Sequence, residues 1–501
     1  MFLNLFEGLK RKEVSVMKSY KLSMVCFLSC WLILFYLPFI ASAAEFPNPK
    51  TYVPTLNQIE KHKAPYDDPR PYVKEFGPKQ IVPKEFMSKL VFDEGKMKAL
   101  WAELVGFRAP DVVEKIAPEI KPGKYTYKDL EKYPGFKDLM WPEMYNRIKP
   151  GGPPHGGNIP EFEIVPTQQC YFSLPIAEAT KKNLGKAKLD KDGYLVWETW
   201  EGGYPFPKPT EPFKAQQIMF NLEKRYLAWD GNMYIAARLR GYTKNLKMDF
   251  DGAYEVLQVK LAGRVLLPPY GWYDERAKKR GEFRHFILGF TAPRDIAGAT
   301  QSALYFLDPN KADQVMMYLP SLRRVRKLTS TDTQDPVMGM DNIYDDNEGF
   351  MQRLSPSRYP YKYELIAERE YLVPAHVYDG SNYISSKGLE LRNMKFERRP
   401  IYVVKLTQLD KNYVYSYRIL YIDKETFNYY HLENYDQKGR LYRTWDINYC
   451  FHEDMGMSSW LGSILVSKDY VDSHSTVFQN FQLPAVWDRE DVNLDGYIKQ
   501  K

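Results

Sequence analysis

The stretch MMYLPSLRRVRKLTSTDTQDPVMGMDNIYDDNEGF, residues 316–350, joins an apolar run to a basic cluster and an acidic pair. The apolar run, residues 316–319, predicts a short strand, and Pro320-Ser321 predicts a turn. The turn leads into the basic cluster, which consists of Arg323, Arg324, Arg326 and Lys327. After a polar spacer, Asp345 and Asp346 supply two neighbouring carboxylates.

Runs of β-branched and aromatic residues on both sides of this stretch predict a mainly antiparallel β protein. The predicted strands cover residues 232–240, 254–267, 282–290, 302–307, 314–319, 361–373, 401–406, 413–422, 428–435 and 440–449. The turn at 436–439 ends in glycine, the residue that most easily adopts the positive φ of a tight hairpin turn. Strands at this close spacing pair as antiparallel neighbours rather than through helical crossovers.

Three blocks of the sequence resemble an exported family of unknown function that is similar to outer-membrane lipoprotein-sorting proteins. The first is Y-x-P-x-x-R-R-V-R-K from Tyr318, followed by the acidic pair. The second is G-Y-P-F-P-K-P from Gly203, and the third is Y-I-D-x-x-T with Y-D-x-x-G-x-L, from Tyr421 and Tyr435. The chain departs from the family pattern at Pro320-Ser321, where the family has proline and glycine.

The resemblance implies a LolA/LolB-like fold, in which a curved antiparallel sheet forms an open half-barrel with packing helices. It also implies a periplasmic location, with association with the outer membrane as a further expectation. Some relatives are encoded beside MMPL-type transporters, so an MMPL/RND-type inner-membrane transporter is the implied partner. The implied ligand is a lipid or another hydrophobic or amphiphilic molecule.

Residues 1–44 are typical of a signal peptide, with Met17 as its conventional start. Lys18 and Lys21 precede an apolar run, and Ala41-Ser42-Ala43 offers a cleavage site. An uncleaved membrane anchor is the alternative, since 19 mostly apolar residues, 22–40, just span a bilayer. Residues 45–160 are interrupted by prolines and predict a partly helical arm, and residues 161–501 the β domain. The clearest helix of the arm begins at Asp93 and stops at Gly106.

Charge and motif content exclude several classes of function. The chain has 70 Lys and Arg against 63 Asp and Glu, an excess too small and too dispersed to indicate nucleic-acid binding. Walker, G-x-S-x-G and H-E-x-x-H motifs are absent, and the seven His residues are scattered. D-V-N-L-D-G from Asp491 resembles the start of a calcium loop, but its twelfth position would lie beyond Lys501. We therefore expect no metal, no cofactor and no catalytic residues, and a binding protein rather than an enzyme.

The residues from Tyr413 to Ile422 suggest where a ligand could bind. In a strand, one face would carry Tyr413, Tyr415, Tyr417, Ile419 and Tyr421. Such a face could form the hydrophobic wall of a ligand cavity. The alternative is that these tyrosines pack beneath the arm or a helix.

The basic cluster also allows two interpretations. Guanidinium groups suit phosphate or carboxylate headgroups, or a charged partner surface. Alternatively, Arg324 or Arg326 pairs with Asp345, Asp346 or Glu348 and fixes a loop. The two cysteines beyond the predicted signal peptide, Cys170 and Cys450, could form a disulfide or remain buried thiols.

These features predict an exported carrier of a lipid or another hydrophobic molecule, serving lipid or lipoprotein traffic or the implied transporter. An exported hydrolase acting on a polymer or an ester is the first alternative, and a tight polar pocket with convergent carboxylates would favour it. A structural subunit of the envelope without a ligand is the second.

Overall fold

The computed structural model describes residues 92–328, 332–346, 353–376, 382–453, 455–459 and 461–499. The predicted signal peptide and residues 45–91 of the predicted arm lie outside these ranges. Within them, no helix is both long enough and apolar enough to cross a membrane.

Nine α-helices lie in the described part of the chain, and most are short. They are α1 Glu94–Val105, α2 Ala109–Val112, α3 Asp129–Lys132, α4 Phe136–Leu139, α5 Pro142–Arg147, α6 Leu174–Lys182, α7 Lys214–Lys224, α8 Glu275–Arg280 and α9 Leu494–Lys499. Helix α1 confirms the prediction at both ends: Asp93 Oδ1 accepts the N–H of Lys96 at 3.0 Å, and Gly106 ends the helix with a φ of 91°. Residues 491–496, whose sequence resembles the start of a calcium loop, lead into helix α9. There Asn493 Oδ1 accepts the N–H of Gly496 at 2.7 Å.

The strands of the described residues are β1 Gly123–Thr126, β2 Glu161–Ile164, β3 Gly231–Tyr242, β4 Met248–Lys260, β5 Ala262–Arg264, β6 Gly271–Trp272, β7 Glu282–Ala292, β8 Thr300–Phe306, β9 Gln314–Leu319, β10 Arg324–Lys327, β11 Tyr361–Val373, β12 Tyr383–Ile384, β13 Leu391–Arg392, β14 Met394–Gln408, β15 Tyr417–Asp423, β16 Tyr429–Tyr435, β17 Leu441–Ile447, β18 Cys450–His452, β19 Met457–Ser459, β20 Leu461–Asp469 and β21 His474–Pro484. Fifteen of them form one sheet.

That sheet confirms the prediction of an open, mainly antiparallel β architecture. Its order is β1-β2-β14-β15-β16-β17-β20-β21-β3-β4-β7-β8-β9-β10, with β11 paired to β14. The pairing of β2 with β14 is parallel, whereas β14 through β10 pair antiparallel. The two ends of the order, β1 and β10, do not pair with each other, so the curved sheet is not closed into a barrel.

Two differences from the predicted strands affect the site. Strand β15 begins at Tyr417, so residues 413–416, which were predicted as its first half, precede it. Strands β20 and β21 were not predicted, yet they lie at the centre of the sheet and join β17 to β3. Their insertion brings the C-terminal part of the chain against the first long strand of the β domain.

The central strands β15–β17, β20 and β21 are covered on both faces. The segment 332–346, which we call the flap, covers one face, where Ser467 donates its hydroxyl to the carbonyl of Asp341 at 2.8 Å. Residues 136–158, with α4 and α5, cover the other, where Lys468 Nζ lies 3.1 Å from Glu143. Ser467 and Lys468 are neighbours in β20, so their side chains point to opposite faces.

Candidate functional site

An apolar cavity of about 60 Å³ lies between the flap and the sheet. Seven strands and the flap line it, through Tyr234, Leu239, Tyr254, Val256, Phe286, Leu288, Phe290, Val337, Met340, Asn342, Tyr429, Trp445, Leu465, Phe478 and Asn480. Aromatic and aliphatic side chains dominate, as in sites for hydrophobic ligands. We call it the flap cavity.

Cross-strand neighbours build the wall of the flap cavity. Tyr254 lies opposite Phe290, and Leu465 lies opposite Phe478, in adjacent antiparallel strands. The rings of Trp445 and Phe478 stack with centroids 5.2 Å apart. Because these contacts come from paired strands, the sheet itself forms the wall of the cavity, and the flap is a separate cover.

Two buried carboxylates hold the C-terminal end of the flap. Asp345 accepts hydrogen bonds from the hydroxyls of Tyr413 at 2.6 Å and Tyr359 at 3.0 Å. Asp346 accepts from Nη1 of Arg418 at 2.5 Å and from the hydroxyl of Tyr415 at 2.9 Å. Both aspartates are only 1% exposed. Burial raises the pKa of Asp345 even though Tyr413 and the nearby Arg418 favour its ionised form.

A second polar contact holds the middle of the flap. Asp341 lies 2.7 Å from Nδ1 of His474 and accepts the hydroxyl of Thr476 at 2.7 Å. His474 Nε2 lies 3.2 Å from Asp249. The hydrogen bond to Asp341 raises the pKa of His474 to about 9, so the imidazole is a cation at neutral pH. The flap is therefore fastened by charged groups around an apolar centre.

The five residues of the predicted hydrophobic wall do not form one surface. Tyr413 and Tyr415 precede β15 and bind the carboxylates of the flap through their hydroxyls. Tyr417 stacks on Tyr435 with centroids 4.3 Å apart. Ile419 and Tyr421 line a cleft on the opposite face of the sheet.

The structure also separates the basic cluster from the acidic pair. Arg323, Arg324, Arg326 and Lys327 are exposed, in β10 and the turn before it. Asp345 and Asp346 are buried, and Arg418 supplies the guanidinium that meets Asp346. The alternative that Arg324 or Arg326 pairs with Asp345 or Asp346 is therefore wrong, and Glu348 lies outside the described residues.

The cleft on the opposite face holds about 420 Å³, within the size range of ligand pockets. One side is formed by the sheet and the other by the segment that includes α5 and the 149–158 connection. Its lining comprises Pro142, Glu143, Asn146, Arg147, Lys149, Gly152, Pro153, Pro154, His155, Gly156, Asn158, Ile419, Tyr421, Glu433, Tyr435, Leu441, Lys468 and Tyr470. We call it the charged cleft.

An ion-pair network forms the floor of the charged cleft. Arg147 lies 2.9 Å from Glu143 and 2.8 Å from Asp446, and His431 lies 2.8 Å from the same aspartate. Burial lowers the pKa of Lys468 to about 8. Burial would also lower the pKa of His431, but the neighbouring Asp446 and Glu433 outweigh it and raise the value to about 9.

These pairings decide what the charged cleft can do chemically. Burial favours the neutral form of Glu143, but Arg147 and Lys468 outweigh it and hold the pKa of this carboxyl below its usual range. Glu143 is therefore unsuited to be the protonated general acid of a hydrolase. Oxygens of Glu143 and Asp446 and a nitrogen of His431 lie within 4.8 Å of one another. Arg147 and Lys468 already neutralise this set, so we assign it no metal.

A cysteine–histidine–glutamate arrangement lies elsewhere in the core. Cys170 Sγ is 3.7 Å from Nε2 of His376, and Nδ1 of His376 contacts Glu397. This order of groups is found around catalytic thiols, but burial raises the pKa of Cys170 well above its usual value, which suppresses the reactive thiolate. Cys170 and Cys450 are both buried free thiols, so the disulfide alternative is wrong.

The charged groups of the cleft were not predicted from the sequence. Glu143 and Arg147 stand four residues apart, a spacing that places them side by side on a helix and could have been noticed. His431, Asp446 and Lys468 carry no such local signal, because three different strands bring them together.

The sequence model of the family described as "Protein of unknown function (DUF1329)" matches residues 129–486. The uncharacterised protein PA3922 of Pseudomonas aeruginosa is 22% identical over 333 residues, which cover 64% of this chain and 67% of that protein.

Two solved structures are also similar. A DUF1329 family protein from Desulfovibrio piger is 15% identical, with 57% of this chain and 99% of that chain covered and a TM-score of 0.41. The LolA superfamily protein NE2245 from Nitrosomonas europaea is 15% identical, with 56% and 98% covered and a TM-score of 0.35.

Proposed function

The chain belongs to the DUF1329 family, and from this premise we propose that it is an exported carrier that binds a lipid or another hydrophobic molecule in the flap cavity. The match over residues 129–486 confirms the family resemblance found in the sequence. The observation that carries the proposal is the apolar cavity, which a separate segment partly covers and polar contacts at its rim fasten to the sheet.

The flap cavity is too small to admit a ligand unless the flap moves. About 60 Å³ is too small for an acyl chain, since an engineered cavity of roughly 150 Å³ binds molecules of the size of benzene. The flap itself fills the remaining space with Val337 and Met340, and buries Ile343 beside Tyr413 and Tyr415. In the proposed cycle, the flap moves outward and the hydrocarbon replaces its apolar side chains.

The free energy of burying the apolar side chains of the flap and that of burying a hydrocarbon chain in their place are of similar size. Burial of Val337, Met340 and Ile343 stabilises the closed flap by roughly 1.5–3 kcal/mol for each side chain. Each methylene of a ligand contributes about 0.8 kcal/mol when it is buried. A chain of about ten methylenes therefore offsets the loss of the three flap contacts, so fatty acyl chains are long enough and very short chains are not.

Trp445 provides a direct test, because its indole lines the flap cavity. The mature protein is titrated with a dibrominated fatty acid, whose bromine atoms quench tryptophan fluorescence on contact. We expect saturable quenching that is largely lost in Trp445→Phe, while the same variant still binds the unbrominated acid in a competition assay. Trp272→Phe is the matched control, since Trp272 packs in a different cluster.

A second variant distinguishes the two faces of the sheet. Trp141 stacks on His431 at 4.6 Å, on the face of the charged cleft. Quenching that disappears in Trp141→Phe and persists in Trp445→Phe would move the hydrophobic site to that face. Absence of quenching by acyl chains of ten to eighteen carbons would refute the carrier proposal and leave the structural subunit as the better account.

Export and the transporter partner rest on the sequence. The signal-peptide pattern of residues 1–44 supports a periplasmic location, and the family resemblance supports transfer of the ligand to or from an MMPL/RND-type transporter. Lipid extraction and native mass spectrometry of the protein from its own periplasm would identify the cargo in the same preparation.

A further inference from the structure

The hairpin formed by β9 and β10 lies at one end of the main sheet. Residues 320–323 connect the two strands, and Arg324 pairs with Leu319 while Lys327 pairs with Met316. Within the described residues, β9 is the strand to which β10 pairs, so the outer edge of β10 ends the sheet.

The connecting turn is tight and presents an apolar side chain. The N–H of Leu322 donates to the carbonyl of Leu319 at 3.1 Å, and the N–H of Arg323 donates to that of Pro320 at 3.1 Å. Arg323 adopts a φ of 49°, which few residues other than glycine adopt and which fixes the direction of the turn. Leu322 is 62% exposed, and Val325 in β10 is 51% exposed.

The charge of the hairpin has a single sign. Residues 314–331 contain four cations and no aspartate or glutamate. Those cations, Arg323, Arg324, Arg326 and Lys327, are all exposed. The hairpin therefore combines a localised positive potential with exposed aliphatic side chains, although the chain as a whole has a formal charge of only +7.

We propose that the β9–β10 hairpin docks the protein onto an anionic membrane surface. Leu322 enters the boundary between headgroups and acyl chains, and the exposed Arg324 and Lys327 bind lipid phosphates. Protection of a sheet edge explains the cations but not the leucine and valine, because apolar side chains on an edge promote pairing with other strands. An acidic extended peptide could pair with β10, but the exposed Leu322 lies in the turn, beyond the strand ladder.

The proposal goes beyond the carrier function and does not depend on it, because the hairpin is separate from the flap cavity and its test needs no cargo. It names the place where the protein would meet a bilayer, whatever it carries.

Vesicle co-sedimentation tests the proposal with the full mature chain. Vesicles of phosphatidylethanolamine and phosphatidylglycerol are compared with vesicles of phosphatidylcholine alone, at low and physiological salt. We expect binding to the anionic vesicles that weakens with salt, and weak binding to phosphatidylcholine. The double variant Arg324→Gln/Lys327→Gln should lower the affinity about thirtyfold.

Two further variants separate the contribution of the hairpin's charges from that of its apolar side chain. Lys278→Gln/Lys279→Gln removes the same charge from exposed positions of α8 and should change the affinity less than twofold. Leu322→Ser should weaken binding several-fold while leaving its salt dependence unchanged, because it removes an apolar contact. All substituted side chains are exposed, so unchanged thermal melting verifies that the variants fold.

Three results would overturn the proposal. Binding to anionic vesicles no tighter than to phosphatidylcholine would exclude a membrane site. An equal loss of affinity in the α8 variant would indicate non-specific attraction by net charge. Binding of an acidic extended peptide that is lost in Arg324→Gln/Lys327→Gln, without vesicle binding, would assign the edge of β10 to a protein partner.

Discussion

The central strands have one face beneath the flap, the flap face, and one face that lines the charged cleft, the cleft face. The flap face buries apolar side chains at its centre, whereas the cleft face buries charged ones. On the flap face, an apolar cavity occupies the centre, and buried Asp341, Asp345 and Asp346 hold the cover at its margin. On the cleft face, Arg147 and its partners form an ion-pair network in the centre itself. The first arrangement fastens a cover over an apolar interior, and the second ties two layers of the protein together.

This difference has a mechanical consequence. Outward movement of the part of the flap that carries Val337 and Met340 exposes apolar surface that a ligand can cover again, while Asp345 and Asp346 keep their buried partners. Separating α5 from the sheet would leave several charges buried without partners, and a hydrophobic ligand could not replace them. We therefore expect the flap to open and the cleft wall to remain in place.

The largest expected effect follows from removing a carboxylate of the flap. Asp346→Ala leaves the buried guanidinium of Arg418 without its ion-pair partner, and loss of one member of a buried pair costs about 3–5 kcal/mol. Urea denaturation should show this loss in the free energy of unfolding. Because the flap competes with the ligand in the proposed cycle, the same variant should bind the brominated fatty acid more tightly.

Arg440→Met is the control for this variant. Arg440 is 62% exposed in its ion pair with Asp436, and exposed pairs contribute less than about 1 kcal/mol. A similar loss of stability in both variants would contradict the structural role assigned to Asp346.

The corresponding change on the cleft face should have a smaller effect on stability. Arg147→Met removes the cation between Glu143 and Asp446, but Lys468 and His431 still face these carboxylates. We expect a loss of about 2 kcal/mol, below the usual range for breaking a buried pair. Binding of the brominated fatty acid should be unchanged, and a changed affinity would mean that the two faces are coupled. Lys149→Met, at an exposed position of the cleft rim, is the control.

The hydroxyl groups of the tyrosines before β15 should account for the next effect. The hydroxyl of Tyr413 donates to Asp345 and accepts a hydrogen bond from Arg418, so Tyr413→Phe leaves buried polar groups unsatisfied. We expect a loss of about 1–2 kcal/mol. Tyr417→Phe preserves the stacking on Tyr435 and should change stability by less than about 0.5 kcal/mol. Equal losses of stability in the two variants would indicate that Tyr413 and Tyr417 lie in equivalent environments on one tyrosine surface.

The contrast between Tyr413 and Tyr417 also shows which parts of the fold could be predicted from the sequence. Alternation and turn chemistry predicted most strands of the sheet and the turn at 436–439, where Gly439 adopts a φ of 74°. The same alternation extended β15 backward over residues 413–416. There, contacts with carboxylates 68 and 69 residues away decide the conformation, and no local pattern reports them.

The site was less predictable than the fold for a related reason. The acidic pair at Asp345 and Asp346 was recognised, but its partner is Arg418 rather than the nearby basic cluster. Arg418 stands inside a predicted strand as one polar residue among apolar ones. Its importance arises only when β15 and the flap are brought together, so it could not be inferred from spacing.

The smallest expected effect depends on pH and separates the two faces again. His474 has a pKa of about 9 in the folded protein and roughly 6.5 when unfolded, so its contribution is complete below pH 6.5 and is lost as the pH rises through 9. Because the ring is partly exposed, we expect about 1 kcal/mol. On the cleft face, His431 with a pKa of about 9 follows the same trend.

Lys468 opposes that trend on the cleft face. Its pKa of about 8 lies below its usual value near 10.5, so the folded state releases this proton first and gains stability above pH 8. The contributions of His431 and Lys468 therefore oppose each other, and the alkaline loss of stability should come mainly from the flap face. His474→Gln should flatten the curve between pH 6.5 and 9.5 more than the double variant His431→Gln/Lys468→Met does, because the double variant removes both opposing contributions. Urea midpoints across this range measure it. If the double variant flattens the curve more, the cleft rather than the flap is the pH-sensitive face of this protein.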